Sequence, residues 1–300
     1  MLKYRKDNLP MVEQLTALGF STILVPIDGS ISCLRAQELA AFIAKKFHSR
    51  ITVVHVISHD FMHPELKAHH QLPPLILQKI DEVYTKSGER ILKTAEEALK
   101  DEDLEVESLL IRKSEDPADT ILNLAKERRF ELIVIGNRAE TQAERYELGS
   151  VTEKVALYSK SPVLIVKRKT RLTKILVAID GSKQAAMALD YASILANTFK
   201  SKITLINVEE SKLASLEPEA VEQIGEAILS EAATRAKRIQ FEKRLEFGSP
   251  AEKIIEVANQ GNYDLIVLGS RGLSSIKRYL LGSVSEDVSM HSRRSVLIVR

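Results

Sequence analysis

The chain has one cysteine, no long apolar run and almost no charge imbalance, and each shortage removes a class of protein. Cys33 has no second cysteine with which to form an intrachain disulfide, which points to a reducing, cytoplasmic setting. No run of about 18 apolar residues occurs, so no membrane-spanning helix is expected. The opening MLKYRKDNLPMVEQLTALGF begins basic but has no apolar core of the kind a secretion signal needs, and none is expected. With 43 Lys and Arg against 41 Asp and Glu, a net charge of +2 does not describe a surface built to coat nucleic acid. What is present is 300 residues, 44% of them hydrophobic, enough for about two buried cores.

The two halves are copies of one another. TILVPIDGS at 22–30 matches KILVAIDGS at 174–182, and ITVVHV at 51–56 matches ITLINV at 203–208, both 152 positions apart. ELIVIG at 131–136 matches DLIVLG at 264–269, and SPVLIVK at 161–167 matches RSVLIVR at 294–300, both 133 apart. The spacing falls by 19, so the first half carries about 19 additional residues between Val56 and Pro117, an insertion assigned to about 58–100. A period this long repeats whole domains rather than solenoid units. The expected division is an extension at 1–19, a first domain at 20–168 and a second at 172–300. So short a linker as the basic RKTR implies that the domains pack together. The extension holds an amphipathic MVEQLTALGF stretch able to pack on the first domain, and no function is assigned to it.

Within each half, continuous apolar runs such as ILVAI and LIVLG read as strands covered on both faces, as in a parallel sheet. Helical patterns separate them. Ala185, Leu189, Ala192, Ala196 and Phe199 share one helix face, and Cys33, Gln37, Ala40, Ala44 and Phe47 repeat the spacing in the first half. Strand and helix alternating in this way make two similar doubly wound α/β domains. Ligands of such sheets bind beyond the carboxyl ends of the strands, where strand order reverses. Asp-Gly-Ser after the first strand and the glycine loop after the fourth are therefore expected on one edge.

That loop reads Gly269-x2-Gly272-x9-Gly282-Ser283 in the second half. Glycines let backbone amides approach an anion, and Gly282-Ser283 opens a helical run whose N-terminus would face a phosphate. Arg271, Lys277 and Arg278 with no acid give the loop a charge of +3. The matching first-half loop, 136–150, sets Arg138 and Arg145 against Glu140, Glu144 and Glu147, a charge of −1, and has Ala139 in place of the glycine at 272. Polyphosphate binding is expected in the second half and weakened in the first.

IDGS after the first strand, GSPAEKIIEVANQGNYDLIVLGSRG, the glycine spacing and the closing SVLIV resemble the universal stress protein family over both halves, about 280 residues. The resemblance implies a five-stranded parallel sheet per domain, in order 3-2-1-4-5 with helices on both faces. It also implies domain pairing through the last strands, near Pro162–Lys167 and Ser295–Arg300. The family divides into members that bind ATP or AMP and members that do not, and the complete glycine pattern goes with the former. Carried over, Ala178 (where many binders have proline), Asp180, Val208 and Leu268 would surround the nucleoside. Gly269, Arg271, Gly272, Gly282, Ser283 and Val284 would hold ribose and phosphates, with Mg2+ as a candidate companion ion. The weaker first-half set is Pro26, Asp28, Val56, Ile135, Gly136, Gly149, Ser150 and Val151.

Blander readings stand beside these. Asp28 and Asp180 are placed to form Asx turns into the next helix. Cys33 aligns with Ala185 and reads as a small buried side chain rather than a redox thiol. Six of seven histidines fall between 48 and 70, and His55, His59 and His63 have the spacing of a helix face, which would suit a metal. His55 belongs to a strand, however, so a solvated loop is the favoured reading. No catalytic residue is assigned: adenylating-enzyme SGGxDS and HxGH motifs and the acidic pair of a receiver domain are missing, and slow ATP hydrolysis is the most that is expected. The competing functions are an adenine-nucleotide-binding stress or signalling module, a nucleotide-independent interaction scaffold and a histidine-based metal regulator. A homodimer of the tandem chain is a further candidate assembly.

Overall fold

A computed structural model describes residues 20–58, 73–100, 102–114, 116–137, 148–210, 217–236, 239–272 and 281–300. The first half runs β1 (Thr22–Pro26), α1 (Ile31–Phe47), β2 (Arg50–Ser58), α2 (Pro74–Lys100), β3 (Val106–Ser114), α3 (Pro117–Glu127), β4 (Leu132–Gly136), α4 (Ser150–Tyr158) and β5 (Val163–Val166). The second repeats it as β6 (Lys174–Ala178), α5 (Lys183–Phe199), β7 (Lys202–Glu209), α6 (Pro218–Arg235), β8 (Phe241–Phe247), α7 (Pro250–Gln260), β9 (Leu265–Gly269), α8 (Ser283–His291) and β10 (Ser295–Val299). The N-terminal extension 1–19 lies outside the described residues. Within the segment read as an insertion, α2 has a counterpart in α6. It is longer by nine residues (27 against 18), and residues 59–72 lie outside the description.

Ten strands form one sheet in the order β3-β2-β1-β4-β5-β10-β9-β6-β7-β8. Each half has the order 3-2-1-4-5, all parallel, and the halves meet where β5 pairs antiparallel with β10. Leu164 faces Leu297 there, 133 positions apart, so the local twofold of the repeat passes between them. Every residue of β4, β5, β9 and β10 is buried, as strands covered on both faces must be. Alternate residues feed two cores. Ile23, Val25 and Val177 join α1, α2, α5 and α6 on one face; Leu24, Leu176 and Ile266 join α3, α4, α7 and α8 on the other. Across the seam Phe47 meets its own repeat mate Phe199 at 6.2 Å, Phe42 stacks on Phe199 at 4.6 Å, and buried Phe20 packs against Phe47 and Tyr191. Because β5 and β10 run oppositely, the carboxyl edges of the two halves face opposite rims of the sheet.

A carboxylate pins the chain where it enters each half. Glu131, before β4, accepts from Ser21 N at 2.6 Å; Asp264, before β9, accepts from Thr173 N at 2.8 Å and Lys174 N at 3.1 Å. Burial pushes the Asp264 carboxyl upward, but the Thr173 hydroxyl, the two amides and nearby Arg168 outweigh it and hold the carboxyl below its ordinary value. A folded-state value below the unfolded one, about 3.9, contributes stability that is present above that pH and is lost as pH falls through the folded value. Asp264→Asn is expected to cost about 1–2 kcal/mol at pH 7. In urea melts from pH 7 to 3, its acid-side loss of stability should be shallower than that of the parent.

Candidate functional site

The site is built from the carboxyl end of the first strand. In each half the chain leaves that strand with a backbone bond to the neighbouring strand, Ile27 N to Val54 O at 2.9 Å and Ile179 N to Ile206 O at 2.8 Å. An Asx turn follows. Asp28 Oδ1 accepts from Ser30 N, and Asp180 Oδ1 from Ser182 N, both at 2.9 Å, over glycines at φ 83° and 80° that a side chain would strain. Ser30 and Ser182 then cap α1 and α5, accepting from Cys33 N and Ala185 N. The bland role of the aspartates is thus realised, and it spends one carboxylate oxygen of each.

The glycine at the end of the fourth strand lies against that first helical turn. A Cβ on Gly136 would sit 2.6 Å from the Ser32 backbone, and one on Gly269 would sit 2.7 Å from Gln184. Both glycines are therefore demanded by strand–helix packing. The loop leaving them is stitched to the helix that follows, by Thr152 Oγ1 donating to Gly136 O at 2.8 Å and Ser285 Oγ donating to Gly269 O at 2.6 Å. Gly149 and Gly282 cap α4 and α8 without any side-chain hydrogen bond, so the first-turn amides are left to an incoming acceptor. In the second half Gly282 N donates to Ser270 O at 2.7 Å, drawing the two ends of the loop together.

In the first half, Pro26, Asp28, Val56, Ile135, Gly136, Gly149, Ser150 and Val151 all line one open cleft of about 470 Å³. Every first-half candidate is thus brought together. In the second half, Ala178, Val208 and Val284 are half-buried beside buried Leu268, and Ser283 is exposed at the start of α8. Arg271 is half-buried, and its carbonyl accepts from Ser182 Oγ at 3.4 Å. Ala139, the loop acids Glu140, Glu144 and Glu147, and the cations Arg138, Arg145, Lys277 and Arg278 lie outside the described residues.

The deciding observation is that one family model matches the chain twice, once in each half: the model for the universal stress protein family covers residues 19–167 and 172–300. The chain belongs to the universal stress protein family. A putative universal stress protein of Staphylococcus aureus is 37% identical over 137 residues, covering 42% of this chain and 82% of the relative. A universal stress protein structure from Archaeoglobus fulgidus superposes with a TM-score of 0.71 at 24% identity, covering 94% of this chain and 98% of that one. A putative universal stress protein from Pseudomonas aeruginosa does so with 0.69 at 18%, over 94% of each chain, and these two likenesses establish the fold.

Several residues of this universal stress protein site are missed by sequence reasoning. His55 and Asn207 occupy the same repeat position and do the same work: His55 Nδ1 bonds Ile27 O at 2.8 Å, and Asn207 Nδ2 donates to Ile179 O at 2.9 Å, holding the turn that carries the aspartate. Gly88 and Gly225 let α2 and α6 approach them, since a Cβ would lie 2.8 Å from the His55 ring or 2.9 Å from Asn207 Oδ1. The signal was available as a polar residue inside an otherwise apolar strand, repeated at 152. His55 is therefore a structural residue on the cleft wall; His59 and His63 lie outside the description, and no cluster of three metal-ligating side chains occurs among the described residues. Cys33 also lines the cleft, but burial and the neighbouring Asp28 charge push its thiol up to about 12, leaving it an unreactive packing group.

Gly272 turns out to answer to Asp180. A Cβ there would lie 2.5 Å from Asp180 Oδ2, whose other oxygen is already committed to Ser182. Gly272→Ala is expected to cost about 1–2 kcal/mol in thermal or urea melts, and less than about 0.5 kcal/mol in an Asp180→Ala background. Equal costs in both backgrounds would dissociate the glycine from the carboxylate.

Proposed function

We propose that the chain is a stress or signalling module that binds an adenine nucleotide, ATP or AMP, at the carboxyl edges of its sheets. Binding is mainly in the second half, with the first half as a built-in dimer partner. The first-half cleft is the observation that supports this most directly. Its size is in the range of small-molecule sites, one wall is apolar (Val56, Ile135, Val151) and the other offers the uncapped amides of α4. The apolar side suits a nucleoside and the amide side a phosphate. The second half repeats the same frame, keeps both loop arginines as Arg271 and Arg278, has Lys277 where the first half has Glu144 and carries no loop acid, so the loop charge of +3 against −1 favours an anionic ligand there. Asp28 and Asp180, each turned back on the first helix of its half, would supply carboxylate oxygens to a phosphate-bound Mg2+.

The test is the amount of nucleotide released on denaturing the purified protein, measured by chromatography and mass spectrometry against chain concentration. One adenine nucleotide per chain is expected, lost in Gly282→Val and retained in Gly149→Val. Two per chain would make the first cleft an equal site. None, with no binding in a titration to about 1 mM ATP, would sink the proposal and leave an interaction scaffold.

A further inference from the structure

Each half ends in a cation, Lys167 after β5 and Arg300 after β10, at corresponding places in the repeat. Both reach across the seam. Lys167 Nζ donates to Met290 O at 2.9 Å, in the last turn of α8, and an Arg300 Nη2–H donates to Ala156 O, in the last turn of α4. We propose that Lys167 and Arg300 are positioning residues acting in trans, the last strand of each half seating the phosphate-loop helix of the other half.

Three observations carry this. Both helices are nine residues long, too short to be stable alone, so packing of Val155 and Val288 in the core fixes their middles and the contacts at their two ends set where their first turns point. The N-terminal contact comes from the same half, through Thr152 and Ser285; the cation at the C-terminal end comes from the other. Met290 O and Ala156 O also belong to the last four carbonyls, which lack an intrahelical donor, and positive charge there complements the helix dipole. Little else claims these cations: no carboxylate pairs with Lys167 or Arg300 among the described residues, and Arg300 Nε is buried without a partner. Burial alone lowers Lys167 to about 7, and Nζ has an N–H for Met290 O whether it is ammonium or amine.

The proposal rests on the nucleotide reading only for what the helices hold; the seating itself is tested without ligand. The amides of Glu286 and Glu153 bond Gly282 O and Gly149 O at 2.9 Å and report the first turns of α8 and α4. In Lys167→Met, amide hydrogen exchange at Glu286 is expected to rise about tenfold while Glu153 stays within about twofold, and Lys167→Arg should stay near the parent. Arg300→Met should give the reverse pattern. Global stability supplies the control. Because the folded value of Lys167 lies below the unfolded one, about 10.4, its ammonium form costs stability as pH falls through that window. Methionine removes that cost, so the melting temperature at pH 7 should not drop while Glu286 loosens. Acceleration of both amides together, of neither, or of the amide in the substituted half would overturn the proposal. Titration with ATP is the second arm, where Lys167→Met should weaken the second-half cleft. A protein that binds no ATP at all would refute the nucleotide reading and leave the exchange result to stand alone.

Discussion

The antiparallel pairing of β5 with β10 is the contact on which the rest of the molecule depends. It places Leu164 against Leu297 on the local twofold and fuses two five-stranded sheets into one. The two helical layers thereby become continuous, each core drawing residues from both halves. The same pairing brings the end of β5 to the rim where β6 begins, so residues 167–173 suffice to connect them. It also sends the two carboxyl edges to opposite rims, so a ligand in one cleft cannot touch a ligand in the other. Communication between the clefts has to run through the seam, where α1 meets α5 and where the terminal cations cross.

Much of this was legible because the repeat is written twice. A run such as LIVLG could belong to a buried helix or a buried strand, but two runs at a constant offset, each followed by a helix pattern, admit little besides a doubly wound sheet. The Asx turns were readable as well, since that interaction is local, two residues apart. Long-range pairings were not. That Glu131 and Asp264 pin the entering chain, or that His55 and Asn207 hold a carbonyl 28 residues away, depends on which strands are neighbours. The helix-like spacing of His55, His59 and His63 was set aside for the reason the fold gives, since His55 belongs to the strand β2.

The glycines show how a motif can be recognised correctly for an incomplete reason. Spacing alone suggested backbone approach to phosphate. Gly136 and Gly269 are required by the first turn of the neighbouring helix, and Gly272 by Asp180, before any ligand is considered. Gly149 and Gly282 are the ones whose position leaves amides uncapped. The motif is therefore a composite in which packing constraints shape the cleft and only part of it faces the ligand.

That composite explains how the two copies can differ so much in one loop and so little elsewhere. The frame of the first half, from the Asx turn and Ser30 cap to Gly136 and the Thr152 tie, repeats in the second half because the fold needs it. Asp28 is exposed where Asp180 is half-buried, and a Cβ at 272 would lie 2.5 Å from Asp180 Oδ2. The loop charge differs between the copies, +3 against −1, while the described frame around it is the same, so charge in the loop is what sets the two halves apart as anion sites.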